Sequence, residues 1–440
     1  MDMGLGKTIS TLTAFVELLN EFEVRRMLVV APLRVARKVW SDEVNEWSHT
    51  QGLKVAHIVG TAAERVKALR TPADIHCINR EQMMWLEAQF IEGKKQLRRW
   101  PWDVVVLDES QSFKNFTSQR TLSMRRLRKL CSRLVLLTGT PIPNGLYDLF
   151  AQFYLLDRGV RLGMNEKAFQ QRWFDCDMAD GRVTWRPRAT AMQEILRQVA
   201  DITLSLRAED YLTLPPVKYN HIRVQMSASA MAKYKELERK FLLELDGKLI
   251  TAVNAGIVQG KLLQLANGAV YDSERAWHVL HNEKLEALSE TLEFLPAPVL
   301  VGYTYRHDLE RISKLLETQY GPQGARWSVL RSDKSFSEWA QGKYEIGVLH
   351  PASAGHGLND VYKSGAENLI HFGYTNNLEW DQQLNARLIG GHRRVGRNVV
   401  IHRIVCDDTE DENAGQLLLR KDVTQNDFTR ALADRVKEVR

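Results

Sequence analysis

The sequence has no uninterrupted apolar run long enough to cross a bilayer, and its start shows no basic, apolar and small-residue succession of a secretory signal. These absences exclude a membrane-spanning or exported chain and point to a cytoplasm. Cysteine is scarce: Cys77, Cys131, Cys176 and Cys406 lie too far apart for a metal knuckle, and each follows or sits in an apolar stretch. They read as reduced, buried thiols. The histidines His57, His221 and His281 have no zinc-ligand spacing, so zinc is not expected. Low-complexity segments and short fixed-period repeats are missing, which excludes solenoids and disordered tails. No compact Asp/Glu/Lys constellation follows Val405, so no nuclease site is expected either.

What is present suits a multi-lobed enzyme. At 440 residues, two or three compact lobes are the natural expectation. A formal net charge of +6 is a mild surplus that favours a polyanionic partner. Apolar runs without alternation at Met27 to Ala31, Val104 to Leu107 and Leu134 to Leu137 read as strands buried on both faces of a parallel sheet. After Leu155 the spacing turns helical, as in Met231, Tyr234, Leu237, Phe241 and Leu245, with Ser227 or Ser229 as a cap. Strand-like runs return at Val299 to Tyr303, Ile346 to Leu349, Leu369 to Phe372 and Val399 to Val405. The expected architecture is α/β: a first lobe over 1–155, a helical insertion over 156–285 and a second lobe over 286–440 with closing helices.

Two motifs carry the chemistry. Gly4-Leu5-Gly6-Lys7-Thr8 has glycines that let backbone N–H groups wrap phosphate oxygens, a lysine for the outer phosphates and a hydroxyl for magnesium. The helix that follows adds its positive end. Taken alone, the motif also fits a glycine turn before a helix, and Met1 stands where the full phosphate-loop pattern has its first glycine. The second motif, Val104 through Asp108-Glu109-Ser110-Gln111, puts two carboxylates just beyond a buried strand, the edge at which parallel sheets bind ligands. Asp108 is expected to hold Mg2+ and Glu109 to polarise the attacking water. Together the motifs point to ATP with Mg2+.

These residues resemble the Swi/Snf family of superfamily 2 helicase-like motors, specifically its compact phage and prophage members. The resemblance runs through Asp2 to Thr8, then Val30-Ala31-Pro32-Leu33-Arg34 with Trp40, Glu43 and Trp47, then Asp108 through Lys114-Asn115. It continues in Leu137-Thr138-Gly139-Thr140-Pro141-Ile142-Pro143-Asn144, Leu214-Pro215-Pro216 and Ser353-Ala354-Gly355-His356-Gly357-Leu358-Asn359. It implies two RecA-like lobes, an ATP-driven translocase or helicase that steps along duplex DNA, and, for a phage or prophage gene, a bacterial host cytoplasm. By resemblance, Thr138 and Thr140 transmit the nucleotide state with Gln111 as a link, and Gly355 and Gln383 join the nucleotide contacts. The family pattern of a glutamine, an arginine four residues on and another three beyond is met by Gln383 and Arg387, but Gly390 takes the third place. An insertion would make Arg393 the arginine finger, with Arg394 next.

For nucleic acid the resemblance implies Pro32, Leu33 and Arg34, Asn79 and Arg80, Thr140, and Tyr305 with Arg306, which grip phosphates without reading bases. Lys94, Lys95, Arg98 and Arg99 beside Trp100-Pro101-Trp102 fit either a strand contact or a solvated end with the tryptophans packed inward. Two other readings stand beside the motor. A complete lobe needs a strand feeding the phosphate loop, so one alternative is a weakly active nucleic-acid-binding fragment truncated at its N-terminus. The other is the motor subunit of a restriction-type complex, which would require a partner methylase or nuclease.

Overall fold

The computed structural model describes residues 1, 5–93, 95–179, 182–211, 217–246, 252–272, 274–354, 361–395 and 397–439. The chain divides into two compact units, Met1–Tyr211 with Val423–Arg440, and Leu212–Asp422. These differ from the three-part division expected from sequence. The reason lies in a core that gathers Leu149, Phe150, Phe169, Trp173, Ile195 and Val199 around Phe428, Leu432 and Val436 of the helix Glu410–Val439. That helix therefore gives its C-terminal turns to the first unit.

The first unit is built on a five-stranded sheet in the order Val55–Ile58, Ile75–Asn79, Met27–Ala31, Val104–Asp108, Arg133–Leu137. All its pairings are parallel. The two central strands are fully buried because alternate residues feed two cores. Val29, Ala31, Val104 and Val106 pack with Leu12 and Phe15 of the helix Lys7–Asn20 and with Trp40. Leu28, Val30, Val105 and Leu107 pack with Met83, Leu86 and Phe90 of one helix and Met124 and Leu127 of another. Each such side chain contributes about 1.5–3 kcal/mol by leaving water. Arg133–Leu137 is only partly buried, since it forms the sheet edge.

The second unit carries a six-stranded sheet in the order Val217–Val224, Val399–Cys406, Asn368–His371, Val299–Gly302, Ile346–Leu349, Trp327–Val329. Every pairing is again parallel. The middle third is less helical than its spacing predicts. It contains the helices Ala228–Asp246 and Ala252–Ala266, but also the hairpin Phe174–Ala179 with Arg182–Pro187 and the strand Val217–Val224. That strand runs mostly exposed at the sheet edge, so its apolar signal in the sequence is weak.

Buried charge holds the second unit's long helix, Leu378–Val395, to its sheet. Arg403 donates to both carboxylate oxygens of Asp381 at 2.7 and 2.8 Å, and Asp381 also accepts from Asn385. Next to it, His371 Nε2 donates to Asn385 Oδ1 at 2.8 Å. A second buried pair, Lys284 with Asp411 at 2.5 Å, extends through Asn267 to Asp308. Three thiols are buried as expected, and burial pushes Cys131 and Cys406 up to about 12; Cys176 is exposed on the hairpin, against expectation. Among the described residues, no helix is long and apolar enough to cross a membrane and no group of acidic, His or Cys side chains forms a metal cluster.

Two predictions follow from the buried charge. Asp381→Asn leaves the Arg403 guanidinium buried without its counter-ion, so unfolding by denaturant should show a loss of about 3–5 kcal/mol. Burial, aided by the Arg403 charge, pulls the His371 pKa down to about 4 from 6.5. The unfolded chain thus binds this proton first, and stability present above pH 6.5 is lost as pH falls toward about 4. His371→Gln should flatten that acid limb, by on the order of 3 kcal/mol at its foot.

Candidate nucleotide and nucleic-acid site

The phosphate-binding motif opens the helix Lys7–Asn20, and Gly6 caps it in the left-handed region with φ 75°. A Cβ there would meet Ile9 Cγ2 at 3.1 Å in a backbone shape that side chains disfavour, so glycine is required. Leu5 precedes this turn, Thr8 lies in the first turn of the helix, and Gly4 lies outside the described residues. The Lys7 ammonium donates to the Met1 carbonyl at 3.1 Å.

The strand Val104–Asp108 delivers the acidic pair. Asp108 is buried, and each of its oxygens accepts one hydrogen bond: Oδ2 from the Trp40 indole N–H at 3.1 Å, Oδ1 from the Glu109 amide at 3.0 Å. Burial, then the adjacent Glu109 charge, pushes its carboxyl up to about 6, while Trp40, the Lys7 charge and the Glu109 amide oppose the rise. The helix that Lys7 opens shares a core with the strand that ends at Asp108, through Leu12, Phe15, Val104 and Val106, so the two motifs, about a hundred residues apart in sequence, belong to neighbouring elements of the first unit. Glu109 itself takes a left-handed backbone, φ 53°, rare for a residue with a side chain and costly unless its surroundings hold it. Gln111 donates to its carboxylate at 2.8 Å. Two adjacent carboxylates, with a hydroxyl at Thr8, are hard oxygen donors that fit a magnesium ion.

The carboxylate turn is tied to the next motif. Ser110 donates to Gln152 Oε1 at 2.9 Å, and the Gln152 amide donates in turn to the carbonyls of Pro141 and Asp148, each at 2.9 Å. Asp108 is in register with Leu137, the residue before Thr138, and the Thr140 amide donates to Thr138 Oγ1 at 2.9 Å. Thr140 is almost wholly buried, which suits transmission within the unit better than a surface contact. In the sequence, Trp40 and Ser110 stand out only as members of their motifs, and Gln152 does not stand out at all. Gln152 carries no local signal, since its partners lie 42, 11 and 4 residues away.

The nucleic-acid candidates of this unit share the same sheet edge. Ala31, just before Pro32-Leu33-Arg34, is in register with Asn79. Leu33 is exposed, Arg34 starts the π-helical turn Val35–Val39, and Asn79 caps the turn Arg80–Gln82 by accepting from the Glu81 amide. Arg80 is partly engaged with Glu81 at 3.4 Å. Trp102 is buried against Phe90 and Trp100, so the tryptophans pack inward, while Arg98 and Arg99 are exposed.

In the second unit, Tyr305 and Arg306 follow the strand Val299–Gly302. Tyr305 is turned inward: its ring stacks on His307 at 5.3 Å and its hydroxyl donates to the Gly260 carbonyl at 3.3 Å. Arg306 is exposed and pairs with Glu310 at 2.9 Å. Gln383 is buried and donates to Glu379 at 3.1 Å; Arg387 stands one helical turn further along Leu378–Val395 and is partly exposed. Arg393 lies in the same helix, where only its backbone is described, and Gly355 lies outside the described residues.

Known proteins place this geometry. The family model described as SNF2-related domain matches residues 1–274. Protein p41 of Acyrthosiphon pisum secondary endosymbiont phage 1 is 38% identical over 425 residues, covering 93% of this chain and 89% of that protein. The Neurospora crassa helicase swr-1 is 27% identical over 244 residues, 54% of this chain but 12% of the helicase, so the chain spans a small part of that relative. Among solved structures, the SWI2/SNF2 ATPase core of Sulfolobus solfataricus in complex with dsDNA is similar at 21% identity over 99% of this chain and 91% of that one, with a TM-score of 0.40. The family model's span over more than half of the chain, with the phage relative's identity along most of it, shows that the chain belongs to the SNF2-related family of helicase-like ATPases.

Proposed function

We propose that the chain hydrolyses ATP with magnesium and couples hydrolysis to movement along duplex DNA. The observation that supports this most is the single core that packs the helix opened by Lys7 against the strand ending at Asp108, next to a left-handed Glu109 whose carboxylate accepts from Gln111. Thr8 and Asp108 are the residues that would hold magnesium, which when bound neutralises phosphate charge. Gly4, Leu5 and Gly6 wrap phosphate with backbone amides, and Lys7 bridges the outer phosphates. Glu109 orients the attacking water and takes its proton, and Gln111 keeps that carboxylate aimed. Arg387, with Arg393, is proposed to stabilise the negative charge on the transferred phosphate, with Gln383 and Gly355 as nucleotide contacts. Pro32, Leu33, Arg34, Asn79, Arg80, Tyr305 and Arg306 form the proposed track. Half-buried Arg34 and exposed Arg306 there supply the phosphate affinity.

ATP turnover should rise on adding duplex DNA and fall at least about 100-fold in Lys7→Ala. Unchanged turnover in that variant would remove Lys7 from the site. Glu109→Gln should abolish turnover while ATP binding, followed with a fluorescent nucleotide, persists within about threefold. Affinity for duplex DNA should be independent of base sequence and should weaken steeply from 50 to 200 mM salt, as counterion release requires. Arg34→Ala should reduce the slope of log affinity against log salt by about one.

A further inference from the structure

One hydrogen bond at the carboxylate turn has no part in the function proposed above. Trp40 is wholly buried, and its indole N–H, the ring's only polar group, is spent on Asp108 Oδ2 across 68 residues of chain. A buried tryptophan seeks some acceptor. Here the acceptor is the one carboxylate proposed to hold magnesium. With the Glu109 amide on Oδ1, the two donors fix the plane of the Asp108 carboxylate. Each oxygen keeps a further acceptor position, because a carboxylate offers about four lone-pair sites.

The indole cannot easily turn away. It sits in one core with Leu12 and Phe15 of the phosphate-loop helix and Val104 and Val106 of the strand that ends at Asp108. Its own helix, Trp40–Glu46, continues directly from the π-helical turn Val35–Val39. Such turns insert a residue into a helix and cluster at functional sites, because the insertion changes where the following side chains point. This one is pinned: the Ala36 amide donates to the Pro32 carbonyl at 2.9 Å, and the Ala36 carbonyl meets His57 Nδ1 at 2.7 Å.

From this geometry we propose that Trp40 is a positioning residue that sets the orientation of Asp108 for magnesium. The proposal rests on the ATP-site reading above. Trp40 touches neither nucleotide nor metal; it acts through the carboxylate. A role limited to core packing would show as lost thermal stability alone, whereas a positioning role must appear in the metal dependence.

The test uses the full chain and a fluorescent ribose-labelled ATP, titrated with and without magnesium. Trp40→Phe keeps an aromatic ring and removes the donor. The half-saturating magnesium concentration should rise about tenfold, the worth of one hydrogen bond to a charged group, while metal-free nucleotide affinity stays unchanged. The indole ¹⁵N–¹H signal that Trp40→Phe removes should also move when magnesium is added to the nucleotide-bound wild type. An unchanged magnesium dependence, or an equal loss of affinity with and without the metal, overturns the proposal. Should Trp40→Phe fail to fold, benzothienylalanine at position 40 replaces the N–H by sulfur at nearly constant shape, and the same criteria apply. Asp108→Asn separates the two layers: if it too leaves the wild-type magnesium dependence intact, the metal-site reading itself has failed, and this proposal with it.

Discussion

A parallel strand that ends in a buried carboxylate sets most of what this molecule can do. Val104, Val105, Val106 and Leu107 are driven into two cores, so the next residue in line, Asp108, is carried to the sheet's carboxyl edge with little freedom. Keeping that group there is costly, and burial beside Glu109 pushes its carboxyl up to about 6. The Trp40 N–H, the Glu109 amide and the Lys7 charge offset part of the cost. The remainder is a standing demand for positive charge, which a bound magnesium ion would meet.

The turn after Asp108 spreads this constraint outward. Glu109 adopts its left-handed backbone because Ser110 is tied down by Gln152 and Gln111 faces back to the glutamate. Gln152 also holds the Pro141 carbonyl, so the carboxylate turn and the Thr138–Pro141 segment share one buried polar side chain. In a low-dielectric core such a shared link is stiff, and leaving any member unpaired costs about 1–3 kcal/mol. A change of charge at Asp108 and Glu109 therefore has a short route to Thr138 and Thr140.

Much of this was legible in the sequence, for a physical reason. Central parallel strands are apolar on both faces, so Met27–Ala31 and Val104–Asp108 announce themselves as unbroken runs, and the chemistry sits at their ends. Edge strands give no such signal: Val217–Val224 mixes Lys218, Asn220, His221 and Arg223 irregularly with its apolar residues and reads as part of a helical region. The return of the helix Glu410–Val439 to the first unit was equally hidden, since Phe428, Leu432 and Val436 look like any amphipathic stripe until their partners are known. Trp40 and Gln152 show the same limit at the site. Local pattern marks residues that meet a ligand, but not those whose partners are distant in sequence. Tyr305 shows the converse: a motif position expected to face nucleic acid spends its ring on His307 and its hydroxyl on Gly260.

The central claim is that Lys7 and Asp108 form one magnesium nucleotide site. Calorimetric titration of ATP, with magnesium and with a chelator, into the wild type, Lys7→Ala, Asp108→Asn and the double variant measures it most directly. The account predicts that magnesium tightens binding to the wild type, that Asp108→Asn erases this gain while metal-free binding survives, and that the double variant loses less than the sum of the two single losses. Equal magnesium dependence in all four proteins, or strictly additive losses, would contradict it.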